Sequence, residues 1–273
     1  MINLIIGKNS NLSQSLLSQL DDSILISTCN AIKELNKIEL NKQKVINIIF
    51  NNFQKSSMLN DITLPHSYIY RSIASTSDIL EYFKQNNIKI NKIIYTSTSS
   101  VYGNNILCKE TDMINPLGLH SALKIANEKL IEMFANDNNI DFVITRIFNM
   151  YGGDDSFSVI SRIINSYKQK IDLNIINNGN AIRDFVCIDD VVKIYKILLN
   201  KQNIGILNIG TGTGKSIGNI LDFLYNNNII VSTQNINKNE IKISTANTTK
   251  LYEIIDDLEF ACVNDYLLES LIQ

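Results

Sequence analysis

Short apolar runs alternate with amphipathic stretches along the first half of the chain. Met1–Ile6 reads as a short buried strand, followed by a polar turn, Gly7–Asn11. Leu12, Leu16, Leu17 and Leu20 then fall on one face of a helix. Ile24–Ile26 predicts a second strand. Val45–Phe50, apolar almost throughout, predicts a third that is covered on both faces. The stretch Tyr68–Gln85 predicts a helix with Ile73, Ile79, Leu80 and Phe83 inward. Lys92–Thr96 predicts a strand, Ser121–Asn136 a helix, and Asp141–Arg146 another strand. Strands alternating with helices in this way predict an α/β fold, a doubly wound parallel sheet. Ligands of such sheets bind at the carboxyl ends of the strands. The polar segments Gly7–Ser13, Ser97–Gly103 and Phe148–Gly153 fall there.

The second half is less regular. It predicts a helix near Ser156–Lys168, a strand–turn–strand over Leu173–Ile188 and a helix over Asp189–Asn200. A strand over Ile204–Ile209 and a helix over Ile217–Tyr225 follow. Asn226–Asn228 with Asn235–Asn239 reads as a polar loop. The division expected is residues 1–153 as a dinucleotide-binding domain, with 184–200 returning to it. Residues 154–183 and 201–273 then form a small C-terminal substrate-binding cap.

Composition narrows the function classes. The 273 residues carry a formal net charge of −2, which gives no general attraction to nucleic acid or to an anionic membrane. No apolar run approaches the ~20 residues of a membrane span, and the N-terminus enters a strand directly, so a cytoplasmic location is expected. The four cysteines are scattered without a CxxC pair and read as reduced thiols. Two histidines are too few for most histidine-based metal sites, and no metal is expected.

The turn after the first strand is Gly7-Lys8-Asn9-Ser10-Asn11-Leu12-Ser13. Dinucleotide turns place glycine at the first, fourth and seventh positions. Here Gly7 is present, and Ser10 and Ser13 hold the other two places. The turn fits either a cofactor pyrophosphate or a simple capped connection. Strand two ends in Ile26-Ser27-Thr28-Cys29 without a carboxylate. Lys8, if it is not merely solvated, reaches towards a 2′-phosphate. Both features lean towards NADP over NAD.

Further motifs are Thr96-Ser-Thr98-Ser99-Ser100-Val-Tyr102-Gly103, His120-Ser-Ala-Leu-Lys124-Ile-Ala-Asn-Glu128, Arg146-Ile-Phe-Asn149-Met-Tyr151-Gly152 and Arg183-Asp184-Phe-Val-Cys-Ile-Asp189-Asp190. Their order and spacing resemble the extended short-chain dehydrogenase/reductases, specifically the NAD(P)-dependent sugar-nucleotide epimerase/dehydratase family, over nearly the whole chain. The resemblance implies a Rossmann-like fold, an NAD or NADP cofactor, a nucleoside-diphosphate sugar as substrate and a homodimer. It implies cofactor contacts from Gly7, Lys8, Ser10, Asn11, Leu12, Ser27 and Thr28. Thr98 is expected to bond the sugar's reacting oxygen, and Lys124 to hold the nicotinamide ribose. Ser99, Ser100 and Asn149 are expected to line the substrate. Arg183 is expected to pair with the diphosphate, the alternative being a salt bridge with Asp184.

The family carries Tyr-x-x-x-Lys on its catalytic helix, and this chain has His120-x-x-x-Lys124. Histidine also exchanges protons, with an ordinary pKa of about 6.5. A Lys124 cation beside it disfavours the imidazolium. His120 either works as the acid/base or only shapes the pocket, and Tyr102 is a possible substitute. Ser99-Ser100 replaces the Asp-Glu pair of the 4,6-dehydratases, which argues against dehydration. The expected function is an NAD(P)-dependent sugar-nucleotide 4-ketoreductase or epimerase, the short chain fitting a ketoreductase. The alternative is a catalytically impaired member acting as a nucleotide-binding partner or regulatory subunit. Gly210-Thr-Gly-Thr-Gly214-Lys215-Ser216 imitates a triphosphate loop, but Ile209 stands where that motif needs glycine.

Overall fold

The structure is a computed structural model describing residues 1–38, 45–53, 62–256 and 258–272. The chain folds into two compact units. The first comprises residues 1–101, 116–146 and 192–207. The second comprises residues 102–115, 147–191 and 208–273.

A six-stranded sheet organises the first unit. Its strands are β1 (Ile2–Ile6), β2 (Ser23–Ile26), β3 (Ile46–Phe50), β4 (Ile90–Thr98), β6 (Asp141–Ile147) and β10 (Gly205–Ile209), ordered β10-β6-β4-β3-β1-β2. β1 runs parallel to β2 and β3, and β3 parallel to β4. One face of the sheet presents Leu4, Ile6, Ile48, Phe50, Ile93, Tyr95 and Ile144. These pack with Ala31 and Leu35 of α2 (Ala31–Leu35), Ile79, Leu80 and Phe83 of α4 (Ser75–Gln85), and Ile131 of α5 (Leu119–Asp137). The alternate residues Ile5, Ile49, Ile94 and Val143 are equally buried, so the sheet is covered on both sides, as a doubly wound fold requires. Helix α1 (Asn11–Gln19) buries Leu12 and Leu16.

Two buried polar arrangements need partners to be tolerated. Asn91 Nδ2 donates to Asn47 Oδ1, Asn47 Nδ2 to Asn3 Oδ1, and Asn3 Nδ2 to the Asp21 carbonyl, an amide ladder across β4, β3 and β1. Lys92, wholly buried, pairs with Asp141 at 2.8 Å and donates to the carbonyls of Leu198 and Lys201. Leu198 ends α7 (Ile188–Leu198), so the lysine satisfies the negative end of that helix.

The predicted helix over 68–85 is a composite. It begins earlier as α3 (Pro65–Ile69), widens into a π-helical turn over Tyr70–Ala74, and continues as α4. Asn127 of α5 donates to the Ser72 carbonyl inside that wide turn.

The second unit holds β5 (Asn105–Cys108), β7 (Asn149–Tyr151), β9 (Ile182–Cys187), β11 (Gly214–Ser216) and β13 (Ile243–Ala246) in one sheet, ordered β11-β9-β13-β5 with β7 beside β9. β8 (Leu173–Ile176) and β12 (Thr233–Ile236) form a separate parallel pair. Ile160 and Ile163 of α6 (Val159–Gln169), Ile220 and Leu224 of α8 (Ile217–Asn226), and Leu267 and Leu271 of α10 (Val263–Ile272) make its core with Tyr151 and Phe185. A short α9 (Thr249–Ile254) precedes α10. β9 pairs inside this unit, although the sequence reading sent residues 184–200 back to the first domain. Only the part of α7 from Val192 onward belongs to the first unit. β12 runs into the stretch read as a polar loop; its four residues are all exposed, so no apolar alternation marks it.

Candidate active site

The carboxyl end of β4 and the first turns of α5 build the site in the first unit. Alternation along β4 turns Ser97 towards α5, where its hydroxyl donates to Glu128 Oε1. Thr98, the next residue, is half-buried. A 3₁₀ turn over Ser99–Tyr102 follows.

On α5, His120, Lys124 and Glu128 recur every four residues and so share one helix face. The helix starts at Gly118, whose carbonyl accepts the Ser121 hydroxyl at 2.8 Å. Glu128 is locked by Arg146 of β6, with Nη2 at 2.7 Å from Oε2 and Nε at 3.2 Å from Oε1. Both side chains are almost fully buried, and with Ser97 they fasten α5 to β4 and β6. This fastening sets the height of Lys124 and His120 over the strand ends.

Lys124 donates to the Thr96 carbonyl at 2.7 Å. Its Nζ stands 4.4 Å from the Phe53 ring centre and 5.0 Å from that of Tyr95. Burial pushes its pKa down to about 7, against the opposing pull of Glu128. His120 Nε2 lies 3.2 Å from Ser100 Oγ. Thr98 Oγ1 donates to Ser100 Oγ at 3.2 Å and accepts the Ser100 N–H at 3.2 Å. The His120 pKa is lowered, first by burial and second by Lys124. The sequence had identified only the lysine as a cause.

A polar network runs beneath. Thr96 Oγ1 meets Asn51 Oδ1 and, at 2.7 Å, the Tyr195 hydroxyl, which also meets Thr145 Oγ1 at 2.7 Å. Asn51 Nδ2 donates to Ser13 Oγ at 3.0 Å. Ser13, the residue at the third glycine position of the turn, is therefore a buried tie between α1 and the end of β3.

At the turn itself, Gly7 has φ +111°, and a Cβ there would lie 2.8 Å from the Asn51 carbonyl atoms, so no other residue fits without displacing backbone. The N–H groups of Gly7 and Lys8 both donate to the Ile26 carbonyl. Ser10 is the N-cap of α1 but makes no side-chain cap bond. Ser158 and Ser216, by contrast, cap α6 and α8. Lys8 and Asn9 are exposed, Asn11 is half-buried, and Leu12 packs inside. At the end of β2, the Ser27 N–H donates to Glu34 Oε2 at 2.9 Å. Thr28 opens the short turn that leads to α2. A carboxylate thus reaches the end of strand two from α2, seven residues after Ser27.

Asn149 and Arg183 belong to the second unit. Asn149 Nδ2 donates to the Asp184 carbonyl at 3.3 Å. Arg183 pairs with Glu240 at 3.2 Å and donates to its neighbour's carbonyl at 2.9 Å. It does not use Asp184, the partner weighed from sequence. The Asp184 carboxylate instead accepts from Thr211 N, Thr211 Oγ1, Gly212 N and Ala246 N at 2.8–3.1 Å. The loop that imitates a triphosphate motif is therefore closed on a carboxylate of its own chain. Tyr102 is also committed: it is buried, and its hydroxyl donates to Asn208 Oδ1 at 2.7 Å. Among the described residues no group of His, Cys, Asp and Glu is arranged to hold a metal ion. Among them, too, no helix is long and apolar enough to cross a membrane.

The sequence motifs contain Glu128 and Arg146 but assign them no role, and Glu34 and Asn51 lie outside those motifs. Glu128 had a signal, the four-residue repeat after His120 and Lys124. Glu34 and Asn51 had none, because their roles arise from contacts across the sheet end.

Comparison with known proteins bears on the family and the fold. The model of the NAD dependent epimerase/dehydratase family matches residues 9–210. A putative UDP-glucose 4-epimerase of Methanocaldococcus jannaschii is 31% identical over 160 residues, 56% of this chain and 52% of that protein. The dTDP-D-glucose 4,6-dehydratase of Dictyostelium discoideum is 31% identical over 155 residues, 51% of this chain and 35% of that protein. The chain thus spans about half or less of the length of these curated relatives. The solved UDP-glucuronic acid 4-epimerase from Bacillus cereus, in complex with UDP-glucuronic acid and NAD, has a TM-score of 0.82 at 22% identity, covering 99% of this chain and 98% of that one. The Thermus thermophilus UDP-glucose 4-epimerase complex with NAD scores 0.81 at 17% identity, covering 100% and 99%. At these identities the structures establish the fold.

Proposed function

The chain belongs to the NAD dependent epimerase/dehydratase family, and from that premise we propose that it is a nucleoside-diphosphate-sugar 4-epimerase working with a bound nicotinamide dinucleotide. The observation that carries the proposal is the meeting of Thr98, Ser100 and His120 in one hydrogen-bonded row at the end of β4, with Lys124 one helical turn along. A row of exchangeable protons beside a desolvated cation suits oxidation and re-reduction of a sugar alcohol. It also argues against a member that only binds. Relatives named as 4-epimerases favour inversion over a one-way reduction. Ser99 and Ser100 lack the ionisable groups that an elimination needs, which argues against dehydration.

The turn after β1 supports a dinucleotide. Its glycine takes a backbone shape closed to other residues, and the turn leads into the N-terminus of α1, whose dipole favours an anion. Gly7, Lys8, Ser10, Asn11 and Leu12 then form the pyrophosphate turn. Ser27, Thr28 and Glu34 would meet the adenosine ribose. A carboxylate there suits the two hydroxyls of NAD and repels a 2′-phosphate, so NAD is favoured over the NADP suggested by Lys8. When bound, the cofactor supplies a reversible hydride acceptor; the proton and the positioning fall to side chains. Lys124 holds the nicotinamide ribose, Thr98 orients the sugar oxygen, and neutral His120 takes the proton. In the second unit, Arg183 and Asn149 are the candidates for the diphosphate, with Arg183 exchanging Glu240 for phosphate oxygens.

The test is turnover. Purified protein, NAD and either UDP-glucose or UDP-glucuronate are followed by NMR for the 4-epimer. The wild-type chain is expected to form it, and Thr98→Val to slow it by about 100-fold. A well-folded chain that forms no epimer, and binds neither nucleotide, refutes the proposal.

A further inference from the structure

We infer that Ser100 is a proton relay, carrying the proton between the sugar hydroxyl and His120. The inference rests on the proposed function and gives Ser100, expected from the resemblance only to line the substrate, a part in the proton transfer.

The direction of the hydrogen bonds carries it. Thr98 Oγ1 accepts the Ser100 N–H, so its own proton points to Ser100 Oγ. Ser100 Oγ is then an acceptor from Thr98, and its single proton is left for His120 Nε2 at 3.2 Å. The remaining lone pair of Ser100 is free for a substrate hydroxyl. Imidazole is also shorter than phenol. At position 120 its Nε2 therefore stops short of the reach of a tyrosine hydroxyl, and Ser100 Oγ lies beside it at 3.2 Å. The opposite ring edge lies against Gly118, where a Cβ would stand 3.4 Å from Nδ1. Ser100 and His120 are both half-buried, so the row is open to substrate at one end.

The step balances. As carbon 4 is oxidised, its hydrogen leaves with the bonding electron pair to the nicotinamide of the NAD already proposed. The hydroxyl proton passes to Ser100 Oγ while the serine proton passes to His120 Nε2, and a carbon–oxygen double bond forms. Re-reduction reverses each transfer, and Ser100 ends each cycle as it began.

Two readouts test the relay. The chain has only two histidines, His66 and His120, so ¹⁵N-histidine NMR of the protein without ligand, with His66→Gln for assignment, resolves the His120 tautomer. The relay requires His120 neutral with its proton on Nδ1, and Ser100→Ala shifts that proton towards Nε2. An unchanged tautomer overturns the assignment without reference to turnover. Kinetically, Ser100→Ala lowers kcat about 100-fold, within the usual range for a proton-transfer group. The double variant Ser100→Ala/His120→Tyr recovers most of it, because a phenol reaches the sugar unaided. A loss that His120→Tyr does not rescue marks Ser100 as structural and overturns the relay. Turnover by Ser100→Ala at the wild-type rate overturns the relay alone; absence of turnover in the wild type overturns the function and the relay together.

Discussion

Lys124 holds an ammonium where little water reaches it, and that has a measurable cost before any ligand binds. Its pKa in the folded chain is about 7, against an ordinary 10.5. Between these values the unfolded chain binds the extra proton, so this residue makes stability rise with pH across that window, by at most about 1.4 kcal/mol per pH unit. Below about 7 the whole penalty is present, and above the ordinary value it vanishes. Lys124→Met is therefore expected to be more stable than the wild type near neutral pH, with the gap closing towards pH 10. Urea melts at a series of pH values measure it, and a gap indifferent to pH contradicts the burial argument. Glu34 offers a second test at this scale. Replacing it with Ser removes the negative charge at the end of β2, and affinity for NADP relative to NAD is expected to rise about tenfold, equivalent to about 1.4 kcal/mol. Calorimetric titration of both dinucleotides reads the ratio; an unaltered ratio removes Glu34 from the cofactor site.

Among the elements, α5 matters most, and its attachment is ionic. Arg146→Met leaves the Glu128 carboxylate buried beside Ser97 without its guanidinium and is expected to cost about 3–5 kcal/mol. Replacing both partners with Met is expected to cost less than Arg146→Met alone, since the uncompensated charge is gone. Denaturant titration of the single and double variants decides this; a double variant worse than the single one shows that the pair contributes more than it costs to bury. The elements most legible in the sequence were those with a two-sided apolar run or a long amphipathic period: β1, β3, β4 and α5. Thr98, His120 and Lys124 stand out only through the resemblance of their motifs to the family, not through any apolar period. The π-helical turn at Tyr70–Ala74 was not legible: no local pattern marks it, and the Ser72 carbonyl inside it accepts an amide from Asn127, fifty-five residues away.

For the molecule as a whole, the first unit was easier to read than the second. Its strands are buried on both faces and follow one another through helices. In the second unit β5, β7, β11, β12 and β13 are only three or four residues long, and they pair with segments distant in sequence. Strands that short show no period, and the turn that imitates a triphosphate loop is explained only once Asp184 is seen inside it. Arg183 illustrates the same limit: its residue type suggested a diphosphate or Asp184, and the fold gave it Glu240.

On the proposed function, this chain takes hydrogen from carbon 4 of a nucleotide sugar and returns the same hydrogen to the opposite face. The most direct test is a UDP-sugar carrying deuterium at carbon 4, incubated with the protein and NAD and examined by NMR. An inverted centre that keeps its deuterium is expected, formed about 100-fold more slowly by Thr98→Val. An uninverted sugar, or an inverted one whose deuterium has exchanged with water, contradicts that function.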